Sequence, residues 1–414
     1  MVYPLTVLGI NCGTSVDGVD IVVSQIETTK IEDDQVDLSV KVVSYEEAPI
    51  GDVLKNRILR CCIAGNTTTS AELCDLNFAI GEEIGNDIRK ADVDLSKIDL
   101  VASHAQPIWH EPRGKDRNST LEFGEPASIS YLSGKTVVSG FRSMEVAVGR
   151  QGAPLCGFLE YAILRSDKVI ITQNIGGIGN ASVIDPLHKF YQFDTGPGNV
   201  LVDAAVRIIT NGKREYDAGG EMGLRGEKDI DQETVDEVLS NYYFALSPPK
   251  TTGRELFSDK MSEQLVRKLQ AKGLSDDAVI ATITRITAES IAKSYDDFVV
   301  PQVQNNKIDE IYISGGGAHN EAILQHLRNR FPEAKVGLSG SLLNITADSK
   351  EAVAFSVLGY CTINGIMPPV PRFVETDKEV LLGNITPGDN IVELFGKVRP
   401  TRSHLRLRRI EIIS

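Results

Sequence analysis

The chain has few cysteines for its 414 residues, six in all, and no pair is spaced Cys-x-x-Cys. This excludes a disulfide scaffold and predicts reduced, mostly buried thiols in a cytoplasmic protein. The six histidines include no His-Glu-x-x-His, and no cluster has zinc-site spacing. No apolar run reaches bilayer length, and the opening MVYPLTVLGINCG carries neither a basic leader nor a long apolar stretch. Neither a membrane anchor nor a secretory signal is expected. Positive charge is also scarce: 43 Lys and Arg stand against 57 Asp and Glu, a formal net charge of −14. Nothing offsets phosphate repulsion over the body of the chain, which argues against a nucleic-acid partner. The one basic cluster, RPTRSHLRLRR at 399–409, alternates with apolar residues and reads as a solvated edge strand or tail.

What is present is the composition of a soluble globular protein, 42% hydrophobic and 24% charged, with length enough for two domains. The rest is organised around TQNIGGIGNASVIDPLHKFYQFDTGPGNVLVDAA at 172–205. It predicts a strand (169–174), a turn with Gly176, Gly177 and Gly179, a second strand (181–184) and a third (190–193) that ends at Asp194. Thr195-Gly196-Pro197-Gly198-Asn199 then opens a helix with an apolar face of Val200, Leu201, Ala204, Ala205 and Ile208. Glycines and a proline after a buried strand can hold backbone amides toward an anion. Asp194 has two readings there: a base at a strand end, or a helix cap.

Similar turns recur. Strands at 5–10 and 19–26 flank Gly13, Thr14, Ser15, Asp17 and Gly18. Such a turn suits a phosphate chain, with Asp17 and Asp20 able to hold magnesium through water, or is an ordinary hairpin. A strand at 98–102 leads into His104, Gln106 and His110, past a strand end where α/β proteins gather site residues. Arg142, Arg150 and Gln151 precede an apolar helix; they can bind a sugar or phosphate, or pair with the excess acid. Thr251, Thr252, Gly253 and Arg254 follow Pro248-Pro249 in a polar loop. A strand at 308–314 ends in Gly315, Gly316 and Gly317, where the backbone approaches a flat ligand or a neighbouring element closely. Glu351 lies in the first turn of a helix opened near Asp348 or Ser349, a position that suits the helix dipole without any function.

GINCGTSVDGVD, ASHAQPIWHEP, FRSMEVAVGRQGAPL, QNIGGIGNAS, FDTGPGNVLVDA, PPKTTGREL, SGGGAHN and KEAVAFSVLGY occur in the order seen in the anhydro-N-acetylmuramic acid kinase family, over residues 9–360. The chain resembles that family, which lies in the sugar kinase, Hsp70 and actin superfamily. GRQGAPL, NGKREYDAGGEMGLRG and NYYFALSPPKTTGREL are most similar to a fungal branch that includes levoglucosan kinase.

The resemblance implies an α/β, two-lobed actin-like ATPase with duplicated ribonuclease H-like domains and a central nucleotide and sugar cleft. One lobe would span 1–140 and the other 141–414, with a soft boundary and a final helix able to pack back. It also implies an ATP- and magnesium-dependent kinase of a 1,6-anhydro sugar. Asp194 would be the catalytic base. Gly13, Thr14, Ser15, Asp17, Gly18, Gly176, Gly177, Thr252, Gly253, Gly315, Gly316 and Gly317 would line the nucleotide. His104, Gln106, Arg142, Gln151 and Asn199 would hold the sugar, and Asp194 and Glu351 the metal. A sugar and ATP would be its partners, with no nucleic acid or membrane, and a homodimer is allowed.

The chain departs from the pattern at Cys12, Ala105, Pro107, Gly140 and Gly219, where the family usually has serine, glycine, threonine, aspartate and aspartate. Pro107 and Gly140 fall in stretches assigned to the sugar, so substrate identity is questioned before ATP binding. A non-catalytic nucleotide-binding descendant and a kinase of an ordinary sugar hydroxyl are the competing expectations.

Overall fold

The computed structural model describes residues 4–13, 16–63, 66–111, 116–187, 189–253, 256–339, 343–346, 348–398 and 405–413. Thr14, Ser15 and Arg254 therefore lie outside the described residues. The chain forms two compact units: Met1–Ile163 with Leu343–Val370 and Val374–Ser414, and Leu164–Leu342 with Pro371–Phe373. The expected division at residue 140 differs from this one. Residues 141–163 and the C-terminal segment are tied into the first unit by Arg150 to the carbonyls of Thr376 and Lys378, and by Lys350 to Glu160.

In the first unit, β1 (Leu5–Cys12), β2 (Gly18–Glu32) and β3 (Gln35–Pro49) form an antiparallel meander. β4 (Leu100–His104) joins β1 in parallel. β5 (Gln106–Glu111) and β6 (Ser119–Phe123) make a separate hairpin, and β7 (Val137–Ser139) runs parallel to β4. β1 is buried on both faces. Leu8, Ile10 and Cys12 join a core with Leu76, Ile80, Ile84 and Ile88 of the helix Ser70–Lys90. The opposite face takes the helix Lys350–Asn364, which Gly9 admits closely: a Cβ at Gly9 would lie 2.2 Å from the Ala352 carbonyl oxygen. The helix Ser70–Lys90 is capped by Thr69, whose side chain accepts from the Glu72 amide.

In the second unit, β8 (Ile170–Ile175), β9 (Ile178–Asp185) and β10 (Lys189–Pro197) form the meander, with β11 (Glu310–Ser314) parallel to β8 and β12 (Lys335–Leu338) parallel to β11. The third strand does not end at Asp194. It continues to Pro197 through an irregularity between Asp194 and Gly196, since pairing to Gly179 and Ile178 resumes beyond it. The glycine-rich segment 211–228 contains a short helix, Glu221–Arg225, because the Asp217 carboxylate accepts from the amides of Met222 and Gly223.

The chain then returns to the first unit as β13 (Ile366–Met367), β14 (Asn384–Thr386) and β15 (Leu405–Ile413). Among the described residues the two sheets run β13-β15-β3-β2-β1-β4-β7-β14 and β10-β9-β8-β11-β12. The basic cluster is thus neither tail nor edge over its described part. β15 lies between β3 and β13, and Arg408 makes a two-bonded pair with Asp37 at 2.5 and 2.7 Å. The segment 36–41 supplies both its backbone partner and its counter-charge, a pairing across more than 370 residues that composition could not reveal.

Candidate functional site

Equivalent strand ends in the two sheets carry the site residues. In the first unit, Asn11, next to the end of β1, pairs with Asp20 on β2 and His104 on β4. Asn11 is buried, and its amide donates to Asp20 at 3.0 Å and to Glu351 at 3.1 Å. Tyr45 donates to the other Asp20 oxygen at 2.8 Å. Asn11 is a central residue that sequence reading passed over although it lies inside the GINCGTSVDG stretch. Its link to Glu351 spans 340 positions. Glu351 is therefore more than a helix-dipole residue: it belongs to a carboxylate–amide–carboxylate chain at the β1 end.

Gly13 sits just beyond, and its carbonyl accepts from the Gln106 side-chain amide at 3.2 Å. Gln106 also donates to the Pro107 carbonyl, while its buried Oε1 has no partner among the described residues. Gln106 thus braces the backbone of the β1–β2 turn. Gly18 opens β2 where a Cβ would meet Glu47 at 2.6 Å. Asp17 is exposed, and its carbonyl accepts from the Ile50 amide. Cys12, below this turn, is buried, and burial beside Asp20 and Asp87 pushes its thiol up to about 12, so it stays neutral.

His104 stacks on Phe355 with ring centroids 4.2 Å apart. Its Nε2 lies 3.0 Å from Arg142 Nε and 3.1 Å from Glu122 Oε1, and Arg142 Nε is 3.3 Å from the same carboxylate oxygen. The structure therefore brings His104 and Arg142 together and adds Glu122, on β6, which sequence reading missed. Among the described residues Arg142 is engaged only through Nε, leaving its terminal amino groups for another partner. Burial and the nearby Arg142 charge hold His110 below its ordinary value. Gln151 stands apart, bonded to Glu375 at 2.8 Å. Arg150 is a buried staple, bonded twice to Glu145 and to two carbonyls. Gly140 has φ 68° and opens the helix Phe141–Ala147; a Cβ there would meet the Asn384 amide nitrogen at 2.9 Å.

In the second unit, the β8–β9 turn and the helix Val200–Ile209 are locked together. The amides of Gly198 and Val200 donate to the Gly177 carbonyl, and the Asn199 amide to the Gly176 carbonyl. These are the amides expected to meet an anion, and here they are engaged by the neighbouring turn. Asn199 donates its side-chain amide to the Ile175 carbonyl at 3.1 Å and lies against Gly316 and Gly317. It belongs with the glycine turns. Among the described residues a Cβ at Gly177 would meet nothing within 4 Å, and one at Gly316 only Asn199 at 3.3 Å, so the backbone leaves room here.

Gly315 and Gly317 serve the approach to β8. Cβ atoms there would lie 2.6 Å from Asn174 Oδ1 and 2.3 Å from Ile175 Cγ2. Gly315 has φ 78° and ψ 179°, a glycine-only conformation. Gly315→Ala is expected to cost about 1–3 kcal/mol from the backbone alone, read as a fall in thermal midpoint.

Asp194 does not cap the helix; Asn199 occupies that position. Its amide donates to the Lys250 carbonyl at 3.0 Å, its carbonyl accepts from Tyr243 at 2.7 Å, and its Oδ2 accepts from the Thr252 amide at 2.9 Å. Thr252 Oγ1 is buried and has no partner among the described residues. Gly253 follows, its carbonyl accepting from Leu256 and Phe257.

Two sheets with one strand order, antiparallel-antiparallel-parallel-parallel about the first strand, and glycine turns at matching strand ends define a duplicated ribonuclease H-like α/β protein. Sequence comparison agrees with the resemblance to the anhydro-N-acetylmuramic acid kinase family. The description "Anhydro-N-acetylmuramic acid kinase" belongs to the family model that matches residues 5–388. Relatives of that name from Caldanaerobacter subterraneus and Clostridioides difficile are 35% identical over 393 residues and 34% identical over 391 residues. Each match covers 92% of this chain and 96% or 98% of the relative. A glucokinase of the ROK family from Streptomyces griseus is a remote likeness among solved structures, at 11% identity and TM-score 0.34 over 86% of this chain and 99% of that one. The chain belongs to the anhydro-N-acetylmuramic acid kinase family, a family of sugar kinases.

Proposed function

We propose that the protein uses ATP to phosphorylate a 1,6-anhydro sugar, opening the anhydro ring with water as O6 is phosphorylated. Asp194 carries this reading: its carboxylate accepts from the Thr252 amide, and its backbone is held at the strand irregularity by the Tyr243 hydroxyl and the Lys250 carbonyl. A carboxylate held this way can take the proton of a water molecule. Water oxygen bonds to the anomeric carbon, the bond from that carbon to O6 breaks, and O6 takes the γ-phosphoryl group as its bond to ADP breaks. The proton resides on Asp194 and then leaves to solvent. A positioned base of this kind supplies roughly a hundred- to ten-thousandfold.

The first unit supplies an oxygen-rich set suited to magnesium. Asp20 and Glu351, joined through Asn11, offer hard donors without thiol or imidazole. Among the described residues no three His, Cys, Asp or Glu gather into a cage, which fits an ion that keeps several waters and needs one or two carboxylates. Magnesium would offset charge on the transferred phosphoryl group. Gly177 and Gly316 are where the second unit's backbone leaves room for a nucleotide. His104 and Arg142, braced by Glu122, are the candidates for the sugar.

The departures at Pro107 and Gly140 leave two anhydro sugars in contention, 1,6-anhydro-N-acetylmuramic acid and levoglucosan. Sugar-dependent ADP release with each, alongside glucose and N-acetylmuramic acid, is the test. Turnover restricted to an anhydro sugar is expected. Faster turnover of an open sugar would overturn the ring-opening reading, and ATP binding without any sugar-dependent turnover would favour a non-catalytic descendant.

A further inference from the structure

Lys250 is a costly residue. It is 4% exposed and, among the described residues, makes no ion pair. Its ammonium lies 4.8 Å from the centre of the Tyr243 ring and 4.5 Å from that of Phe298, and donates only a long bond, 3.4 Å, to the Tyr243 carbonyl. Ring faces attract a desolvated cation, but they do not restore a lost water shell. A buried cation without a counter-ion is a sign of function over stability. The same short segment, 242–252, touches Asp194 at three points: Tyr243 on its carbonyl, the Lys250 carbonyl on its amide, and the Thr252 amide on its carboxylate.

We propose that Lys250 is a positioning residue for Asp194: its ammonium, seated between the Tyr243 and Phe298 rings, clamps the 242–252 segment whose backbone holds the carboxylate. Phe298 ends the long helix Asp276–Phe298, a rigid element buried along most of its length, so the clamp ties a loop to a fixed wall. The inference rests on Asp194 as the base. Charge is what makes the clamp, because a neutral amine loses its attraction for both ring faces.

Lys250→Met and Lys250→Arg test this beside the wild type, by hydrogen exchange of 242–252, thermal midpoint and the kinetics of sugar-dependent turnover. Lys250→Met is expected to speed exchange of the segment about tenfold without lowering the thermal midpoint. It should lower kcat by about tenfold or more with KM for sugar and ATP nearly unchanged. Lys250→Arg, which keeps a cation over the two rings, should recover most of the slow exchange and of kcat. Unchanged exchange in Lys250→Met, or exchange in Lys250→Arg as fast as in Lys250→Met, overturns the proposal. Exchange needs no turnover: a protein inactive on every anhydro sugar would sink the catalytic reading of Asp194, while exchange would still decide whether Lys250 clamps the segment.

Discussion

Asp194→Asn should lower kcat for sugar-dependent ADP release by roughly a hundred- to ten-thousandfold, with KM for ATP and sugar little changed. Asparagine keeps an oxygen to accept from the Thr252 amide and leaves the backbone bonds to Lys250 and Tyr243 untouched. The turn therefore stays folded, and the thermal midpoint should match the wild type. Asparagine cannot take a proton from water at neutral pH, so the loss falls on the chemical step. In barrier terms it is about 3–5 kcal/mol. A variant that turns over at the wild-type rate would remove Asp194 from the mechanism. One that loses activity together with its thermal midpoint would show a structural role instead.

Arg150→Met is expected to have the largest effect on stability. The guanidinium is 2% exposed and bonds Glu145 at 2.5 and 2.7 Å, the Thr376 carbonyl at 3.1 Å and the Lys378 carbonyl at 2.6 Å. Methionine fills part of the volume but leaves the Glu145 carboxylate and two carbonyls without their donor. Breaking a buried pair in this way costs about 3–5 kcal/mol. For a unit of this size that lowers the thermal midpoint by roughly 10 °C. At temperatures where the variant remains folded, its KM and kcat should stay close to wild type, since four of the five Arg150 N–H donors are committed to Glu145, Thr376 and Lys378 and the side chain is buried. A drop in kcat at full stability would return Arg150 to the sugar site. Paired replacement of Arg150 and Glu145 by apolar residues should recover part of the loss, because it removes the stranded charge.

Much of the fold was legible because its signals are local. Strands β1, β2, β8 and β9 announce themselves by apolar runs broken by glycine turns. The helices Gln232–Leu239, Asp259–Ala271 and Asp276–Phe298 follow from apolar spacing with Ser258 and Ser275 as caps of the latter two. The strand through Asp194 was read too short because Asp, Gly and Pro are poor strand formers, yet pairing to Gly179 and Ile178 carries it through. The 399–409 cluster reads as an edge or tail because nothing in eleven residues can tell an edge strand from one that finds a partner across the sheet.

What the sequence determined by itself is the type and order of the elements, the glycine turns at strand ends and Asp194 within FDTGPGN, since each depends on residues close together in the chain. What only the tertiary structure decided is which polar groups meet: Asn11 with Glu351, Arg142 with Glu122 and His104, Arg150 with Thr376 and Lys378, and Lys250 with Phe298. The free energy of a hydrogen bond or a buried charge depends on distance and exclusion of water. Both are set by how strands and helices pack, not by separation along the chain. The amides of Gly198, Asn199 and Val200 make the same point: their sequence suits an anion, and the packed turn at Gly176 and Gly177 had already engaged them.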